Sequence, residues 1–102
     1  MEEITYILHF SSPLEGYISP QYGDQSHYIG YSQQFETRIK THLDGKGSRV
    51  TRRCLKSGIV ITIGALIHGY YEKEAISIGG KYLCNICIKS RSIYVQGTVK
   101  HS

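Results

Sequence analysis

Basic residues concentrate in one short segment of the chain. Seven of the twelve lysine and arginine side chains lie between Arg38 and Lys56, and Asp44 is the only acidic residue among them. Such clustering is typical of a surface that binds nucleic acid, because cations displace the counterions around the phosphate backbone. A solvated basic helix face is the alternative explanation. The candidate nucleic-acid-binding residues in this segment are Lys40, Lys46, Arg49, Arg52 and Arg53.

Two cysteines, Cys84 and Cys87, have the spacing of half a zinc site. A structural zinc ion takes four ligands, and no second pair of cysteines follows in the sequence. Cys54 or His68 could complete such a site only if the fold happened to bring one of them close. The spacing therefore favours unliganded thiols, with a metal that bridges a dimer as the alternative. Three cysteines without a regular disulfide spacing fit a reducing compartment.

Size and composition indicate one soluble globular domain over residues 1–102. A chain of 102 residues has room for a single core, and its 40% hydrophobic and 20% charged residues are ordinary proportions. No apolar run approaches the roughly 20 residues of a membrane span, and Met1-Glu2-Glu3 is acidic where a signal peptide is basic. We expect a cytoplasmic, nucleoid-associated protein with no membrane partner; the sequence leaves a homodimer open.

The elements that must position these residues begin with two strands. Residues 4–10 and 27–31 are rich in β-branched and aromatic residues, and the loop between them contains both prolines, so a hairpin with a long connection is predicted. Residues 59–67 form an almost continuous apolar run, which predicts a central strand covered on both faces. Alternation over residues 92–99 predicts a last strand.

The best helix pattern runs from Ser32, as N-cap, to Gly45. On a helical wheel, Arg38 and His42 border its apolar stripe and are expected at the edge of the core. The stripe consists of Phe35, Ile39 and Leu43.

Two shorter helices are predicted further along the chain, over residues 48–57 and 71–78. In the first, Val50, Cys54 and Leu55 are expected to face inward. In the second, Tyr71, Ala75 and Ile78 share one face and Glu74 flanks it. The predicted fold class is therefore α/β of the α+β type: a small three-stranded, mostly antiparallel sheet flanked by helices.

Tyr6 in the first strand and Tyr28-Ile29-Gly30 in the second resemble the paired signature of the GIY-YIG endonuclease family. Ile4-Thr5-Tyr6 stands where the family usually has Gly-Ile-Tyr, and the tyrosine is retained. The first predicted helix, with Phe35-Glu36-Thr37-Arg38, is similar to the helix that carries the family's catalytic arginine. His42 follows one turn later, and Gly45-Lys46-Gly47-Ser48 matches the family's Gly-Lys-Gly corner.

The later part of the chain extends this resemblance to short, stand-alone members of the family. Gly69 and Glu74 are similar to its late helix, which carries a metal-binding glutamate, and Cys84 and Cys87 resemble the cysteine ending of some members. The matches span nearly the whole chain, and their order and spacing carry more weight than any single tripeptide.

The resemblance implies a GIY-YIG-like DNA endonuclease, a metal-dependent phosphodiester hydrolase with one divalent ion, Mg²⁺ or Mn²⁺. Glu74 would be the metal ligand, since magnesium is often held by a single carboxylate, waters and substrate phosphate. Arg38 would clamp the scissile phosphate with its planar fork of donors. Tyr6 or Tyr28 would position or deprotonate the attacking water, and His42 would assist. The implied catalytic residues are Tyr6, Tyr28, Arg38, His42 and Glu74.

Two alternatives from other functional classes stay open at this point. The altered first motif is compatible with a catalytically inactive module that still binds nucleic acid. The same fold could also be a protein-interaction domain, including an inhibitor that docks on a partner enzyme. A shallow salt dependence of DNA affinity would favour the interaction domain, because phosphate contacts give steep slopes.

Overall fold

A three-stranded antiparallel sheet forms the centre of the fold in the computed structural model, which describes residues 3–17 and 24–89. The strands are β1 (Ile4–Phe10), β2 (His27–Ser32) and β3 (Ile61–His68), in the spatial order β2-β1-β3. The predicted hairpin is confirmed, since β1 and β2 pair antiparallel. The sheet and its flanking helices also confirm the predicted fold class.

The prediction that residues 59–67 form the middle strand is wrong. β1 pairs with both neighbours, whereas β3 lies at one edge of the sheet, and its side chains Ile63 and Leu66 are exposed. A continuous apolar run indicates that a strand can be buried. The position of that strand in the sheet depends on which strands hydrogen-bond to each other. β1 is the strand that is buried along most of its length.

The helices are α1 (Phe35–Leu43), α2 (Arg49–Lys56), α3 (Glu72–Ile78) and the short α4 (Gly80–Leu83). Residues 85–89 are also helical. α1 begins later than predicted, with Gln34 at the N-cap, because the Ser32 hydroxyl accepts a hydrogen bond from the Gln34 N–H before the helix starts. α2 lies within the predicted range 48–57, and the hydroxyl of its N-cap residue, Ser48, accepts a hydrogen bond from the Thr51 N–H.

Several side chains that were predicted to face inward are exposed instead. In α1 the expected stripe continues through His42, which is 1% exposed, and not through Leu43, which is 53% exposed. The seven-residue spacing from Phe35 places His42 on the same face, so the inward face is partly polar. The corresponding exposed residues in the other helices are Leu55, Tyr71 and Ile78.

The two faces of the sheet carry separate clusters of buried residues, because successive side chains of a strand point to opposite sides. Ile4, Tyr6, Leu8 and Phe10 of β1 belong to the larger cluster, which includes Cys54 of α2. On the other face, Ile7 packs with Ala65 and Cys84. The predicted last strand, 92–99, lies outside the described residues. Within the described part of the chain, none of the helices has the length and apolar character to cross a membrane.

Candidate active site

Tyr6 lies in the middle of the central strand with its side chain buried. Its hydroxyl oxygen is 3.1 Å from Nε2 of His42. The residue opposite Tyr6 on β2 is Gly30, and a Cβ atom there would lie 2.4 Å from the phenol oxygen. Gly30 therefore provides the space that the Tyr6 ring occupies, which gives a physical reason for glycine at the end of Tyr28-Ile29-Gly30.

The other ring nitrogen of His42 is held by α2. Nδ1 lies 3.0 Å from the hydroxyl oxygen of Thr51, and that hydroxyl donates its own proton to the Ser48 carbonyl at 3.1 Å. The Thr51 oxygen therefore accepts from His42, so the imidazole proton is assigned to Nδ1 and Nε2 accepts the Tyr6 proton. A Cβ at Gly47 would lie 2.3 Å from Nδ1 of His42. Position 47, in the corner between α1 and α2, therefore needs a glycine to leave space for the imidazole ring.

Burial keeps both partners of this contact neutral. Desolvation lowers the pKa of His42, and the nearby positive charge of Arg38 lowers it further. Desolvation raises the pKa of Tyr6, although the Arg38 guanidinium beside the phenol acts in the opposite direction. At neutral pH the Tyr6 phenol therefore donates its hydrogen bond to a neutral His42 imidazole. Nε2 of this imidazole carries a lone pair that can accept a proton.

Arg38 and Tyr28 complete the group around Tyr6. Arg38 is exposed, and it lines a surface cleft formed by α1 and the segment that precedes it. Tyr28 is half-buried, with its ring centroid 5.7 Å from that of His42. The fold therefore brings together side chains from β1, β2 and α1 that the resemblance had grouped as catalytic residues.

Two carboxylates stand in the first turn of α3, Glu72 and Glu74. Glu72 is half-buried, and its negative charge contributes to the raised pKa of Tyr6. Glu74, the ligand predicted from the sequence, is exposed. Because a helix turns about 100° per residue, the two side chains point about 200° apart. Of the two, Glu72 is the one on the side of buried Ala75.

The basic segment folds into a corner of two helices, and all five of its predicted nucleic-acid-binding residues are exposed. On α2, Arg49, Arg52, Arg53 and Lys56 follow a spacing of three, four and seven residues, so they form one face, opposite buried Thr51. Arg53 also donates a hydrogen bond to the Glu15 carbonyl at 2.7 Å, which attaches the loop after β1 to this helix.

The cleft beside Arg38 is smaller than another one, which is lined by His9, His27 and Cys87. The larger volume of that cleft does not make it the nuclease site, because a phosphate backbone binds to an open, positively charged surface and not in an enclosed cavity. The group around Tyr6 adjoins the basic corner through α1. The candidate active site is therefore the group around Tyr6, and the smaller cleft adjoins it at Arg38.

Sequence reasoning missed three residues of this site. Thr51 fixes the tautomer of His42, yet nothing in its neighbourhood in the sequence pointed to that role. Gly47 was noted as part of a glycine-rich corner without the steric reason for it. Glu72 was not singled out from the sequence; it lies in the first turn of α3 together with Glu74, which stays the metal ligand predicted from the resemblance.

A model of a known protein family matches most of the chain. Residues 4–78 match the model of the GIY-YIG catalytic domain, which covers both tyrosines, the arginine, the histidine and the two carboxylates. Neither a curated protein nor a solved structure matches the chain.

Proposed function

Because the chain belongs to the GIY-YIG family of nucleases, we propose that it is a metal-dependent DNA endonuclease whose active site is the group around Tyr6. The observation that carries the proposal is the chain of hydrogen bonds from Tyr6 through His42 to Thr51, with Arg38 beside the phenol. A structural tyrosine needs one satisfied hydroxyl. It does not need a buried imidazole held in one tautomer together with a guanidinium.

Tyr6 and His42 would act as a proton relay. The phenol gives its proton to Nε2 of His42, and the phenolate oxygen takes a proton from the attacking water, whose oxygen forms the new bond to phosphorus. The bond between phosphorus and the leaving oxygen breaks in the same displacement, and that oxygen takes a proton from solvent. Because burial disfavours both charged forms, this transfer costs free energy in the free protein. The positive charge of Arg38 favours the phenolate form of Tyr6 and disfavours the imidazolium form of His42, so it acts on the two partners in opposite directions.

Arg38 would also hold the scissile phosphate. Its planar guanidinium can donate two parallel hydrogen bonds to phosphate oxygens, and its exposed position on the cleft leaves it accessible to substrate. The basic face of α2 would contact phosphates on either side of the cut, because such contacts position the backbone without reading its sequence. We propose Arg49, Arg52 and Arg53 of α2 for these contacts, together with Lys40 of α1 and Lys46 between the two helices. Arg53 also donates a hydrogen bond to the Glu15 carbonyl.

Nucleases of this family generally use divalent metals. The donors at the start of α3 fit a hard cation such as Mg²⁺ or Mn²⁺, since they are carboxylates and magnesium typically takes one or two of them. When bound, the ion would stabilise the negative charge that develops on the phosphoryl oxygens. Glu74 remains the ligand predicted by resemblance. Glu72 is favoured as the ligand because its side chain is partly buried and because its negative charge helps to raise the pKa of Tyr6.

Cleavage of plasmid and of branched DNA in Mg²⁺ or Mn²⁺ tests the proposal. We expect products that Arg38→Ala abolishes while the variant still binds DNA. Glu72→Gln and Glu74→Gln, compared side by side, identify the metal ligand: the ligand variant should lose cleavage and the other should retain it. If the wild-type protein binds DNA and no divalent metal yields products, the chain is a nucleic-acid-binding module and the endonuclease proposal is wrong.

A further inference from the structure

A second group of chemically active side chains lies on the opposite face of the sheet from Tyr6. It contains two imidazoles and two thiols, and its four potential ligand atoms all lie within 4.8 Å of one another. His9 comes from β1, His27 begins β2, Cys84 follows α4 and Cys87 lies in the helical residues 85–89. From this convergence we infer a structural zinc site, with His9, His27, Cys84 and Cys87 as its four ligands.

Four of the six distances between the ligand atoms are close to the edges of a zinc tetrahedron. Bonds of about 2.1 Å to nitrogen and about 2.3 Å to sulfur give edges of about 3.4 Å between two nitrogens and about 3.6 Å between nitrogen and sulfur. Nδ1 of His9 lies 3.3 Å from Nε2 of His27, 3.5 Å from the Cys84 sulfur and 3.7 Å from the Cys87 sulfur. Nε2 of His27 lies 3.4 Å from the Cys87 sulfur.

The surroundings of His27 also fit a metal ligand. Its second ring nitrogen, Nδ1, lies 3.1 Å from a carboxylate oxygen of Asp24. Histidines that bind a metal usually donate their other N–H to a carboxylate or carbonyl, which fixes the tautomer and aims the ligand nitrogen at the ion. Asp24 would therefore be a positioning residue for this site.

Two glycines make room for Cys84 and His27. β1 and β3 change register between Ile7 and Leu8, and Gly64 is the unpaired residue of β3 at that irregularity. A Cβ at Gly64 would lie 2.7 Å from the Cys84 sulfur, so glycine is required for this thiol to reach the sheet. A Cβ at Gly80 would lie 2.9 Å from the Cβ of His27, so glycine is also required at this position.

Hydrogen bonding alone gives little reason for this convergence, because thiols are weak donors and acceptors. Zinc accounts for it, since imidazole and thiolate are its common ligands and four of them close its coordination sphere. Each thiol gives its proton to solvent when the ion binds. The ion would join the loop end of the hairpin, where His9 pairs with His27, to α4 and the helical residues 85–89. It would lie on the sheet face where the cluster of buried residues is the smaller one.

The third cysteine and the remaining candidate from the sequence lie elsewhere. Cys54 belongs to the buried cluster on the other sheet face, and burial raises the pKa of its thiol to about 11. His68 pairs with Ile4, at the opposite end of β1 from His9. The ligands that the sequence spacing could not supply are thus two histidines from the hairpin.

Metal content of the full chain, purified without a histidine tag, tests the site. We expect one zinc ion per chain, and X-ray absorption at the zinc edge should give two nitrogen and two sulfur neighbours. Replacement by cobalt should give the intense visible bands of a tetrahedral ion together with thiolate-to-cobalt charge transfer. Wild-type protein that contains no zinc after purification with added zinc, or that gives an octahedral cobalt spectrum, would overturn the inference.

Variants add a matched comparison. Cys87→Ser should lose the zinc, whereas the control Cys54→Ser should keep one ion per chain. Asp24→Asn should retain the fold and weaken zinc affinity by about 10- to 100-fold, measured by competition with a chromophoric chelator. An unchanged affinity in Asp24→Asn together with retained zinc in Cys87→Ser would reject this ligand set. None of these measurements depends on DNA cleavage, so they remain decisive if the endonuclease proposal fails.

Discussion

Replacing Tyr6 with phenylalanine separates a structural role from a catalytic one. The substitution keeps the buried ring and removes the hydroxyl that contacts His42 Nε2 at 3.1 Å. One neutral hydrogen bond contributes about 1 kcal/mol to stability, which corresponds to a fall in Tm of about 4–8 °C for a domain of this size. A domain with about 5 kcal/mol of stability that loses about 1 kcal/mol stays more than about 99% folded.

The expected effect on catalysis is much larger. A positioned acid or base typically contributes about 10²- to 10⁴-fold to the rate, which is about 2.7–5.4 kcal/mol of transition-state stabilisation. We therefore expect Tyr6→Phe to cleave DNA at least about 100-fold more slowly per folded molecule, which partial unfolding could not explain.

The assay combines single-turnover cleavage of a labelled duplex in Mn²⁺ with urea unfolding of the same preparation. Tyr17→Phe, a change at another buried tyrosine outside the active-site group, is the matched control and should cleave at the wild-type rate. If Tyr6→Phe cleaves within about threefold of wild type, the hydroxyl does not take part in proton transfer and the relay is refuted.

Three further predictions follow from the same site. Gly47→Ala should destabilise the fold by about 1–3 kcal/mol in urea unfolding, because its Cβ would overlap the His42 ring; an unchanged midpoint would contradict this. His42 has a lowered pKa in the folded state, so its contribution to stability is present above about pH 6.5 and is lost as pH falls toward the folded pKa. Unfolding at pH 7.5 and 5.5 should therefore show a greater acid sensitivity in wild type than in His42→Gln. Arg49→Gln and Arg52→Gln should each reduce the salt slope of duplex binding by about 0.9, while Lys89→Gln should leave it unchanged.

The hairpin, the three predicted helices and the fold class were predictable from sequence, because periodicity and capping residues act locally. α2 shows this well, since it starts within one residue of the predicted position and the Ser48 hydroxyl caps it. The order of the strands was not predictable in the same way. Both β1 and residues 59–67 are apolar enough to be central, and only the hydrogen-bonded pairing places β1 in the middle.

The candidate active site could be predicted in part from the resemblance of its residues to the family's motifs. Tyr6, Tyr28, Arg38 and His42 could be grouped by their order and spacing, and the fold brings them together. The role of Thr51 could not be predicted from the sequence, because it depends on the angle at which α2 meets α1. The choice between Glu72 and Glu74 depends on which side of α3 faces the sheet.

The sequence by itself determined which chemical groups the protein has, the basic character of one helix corner and the local propensity for its strands and helices. Only the tertiary structure decided that two histidines from the hairpin meet Cys84 and Cys87, more than fifty residues later in the chain. Ligand spacing in a sequence reports contacts within one turn or helix. Contacts between distant segments are set by sheet register, by a bulge at Gly64 and by the close approach that glycine permits.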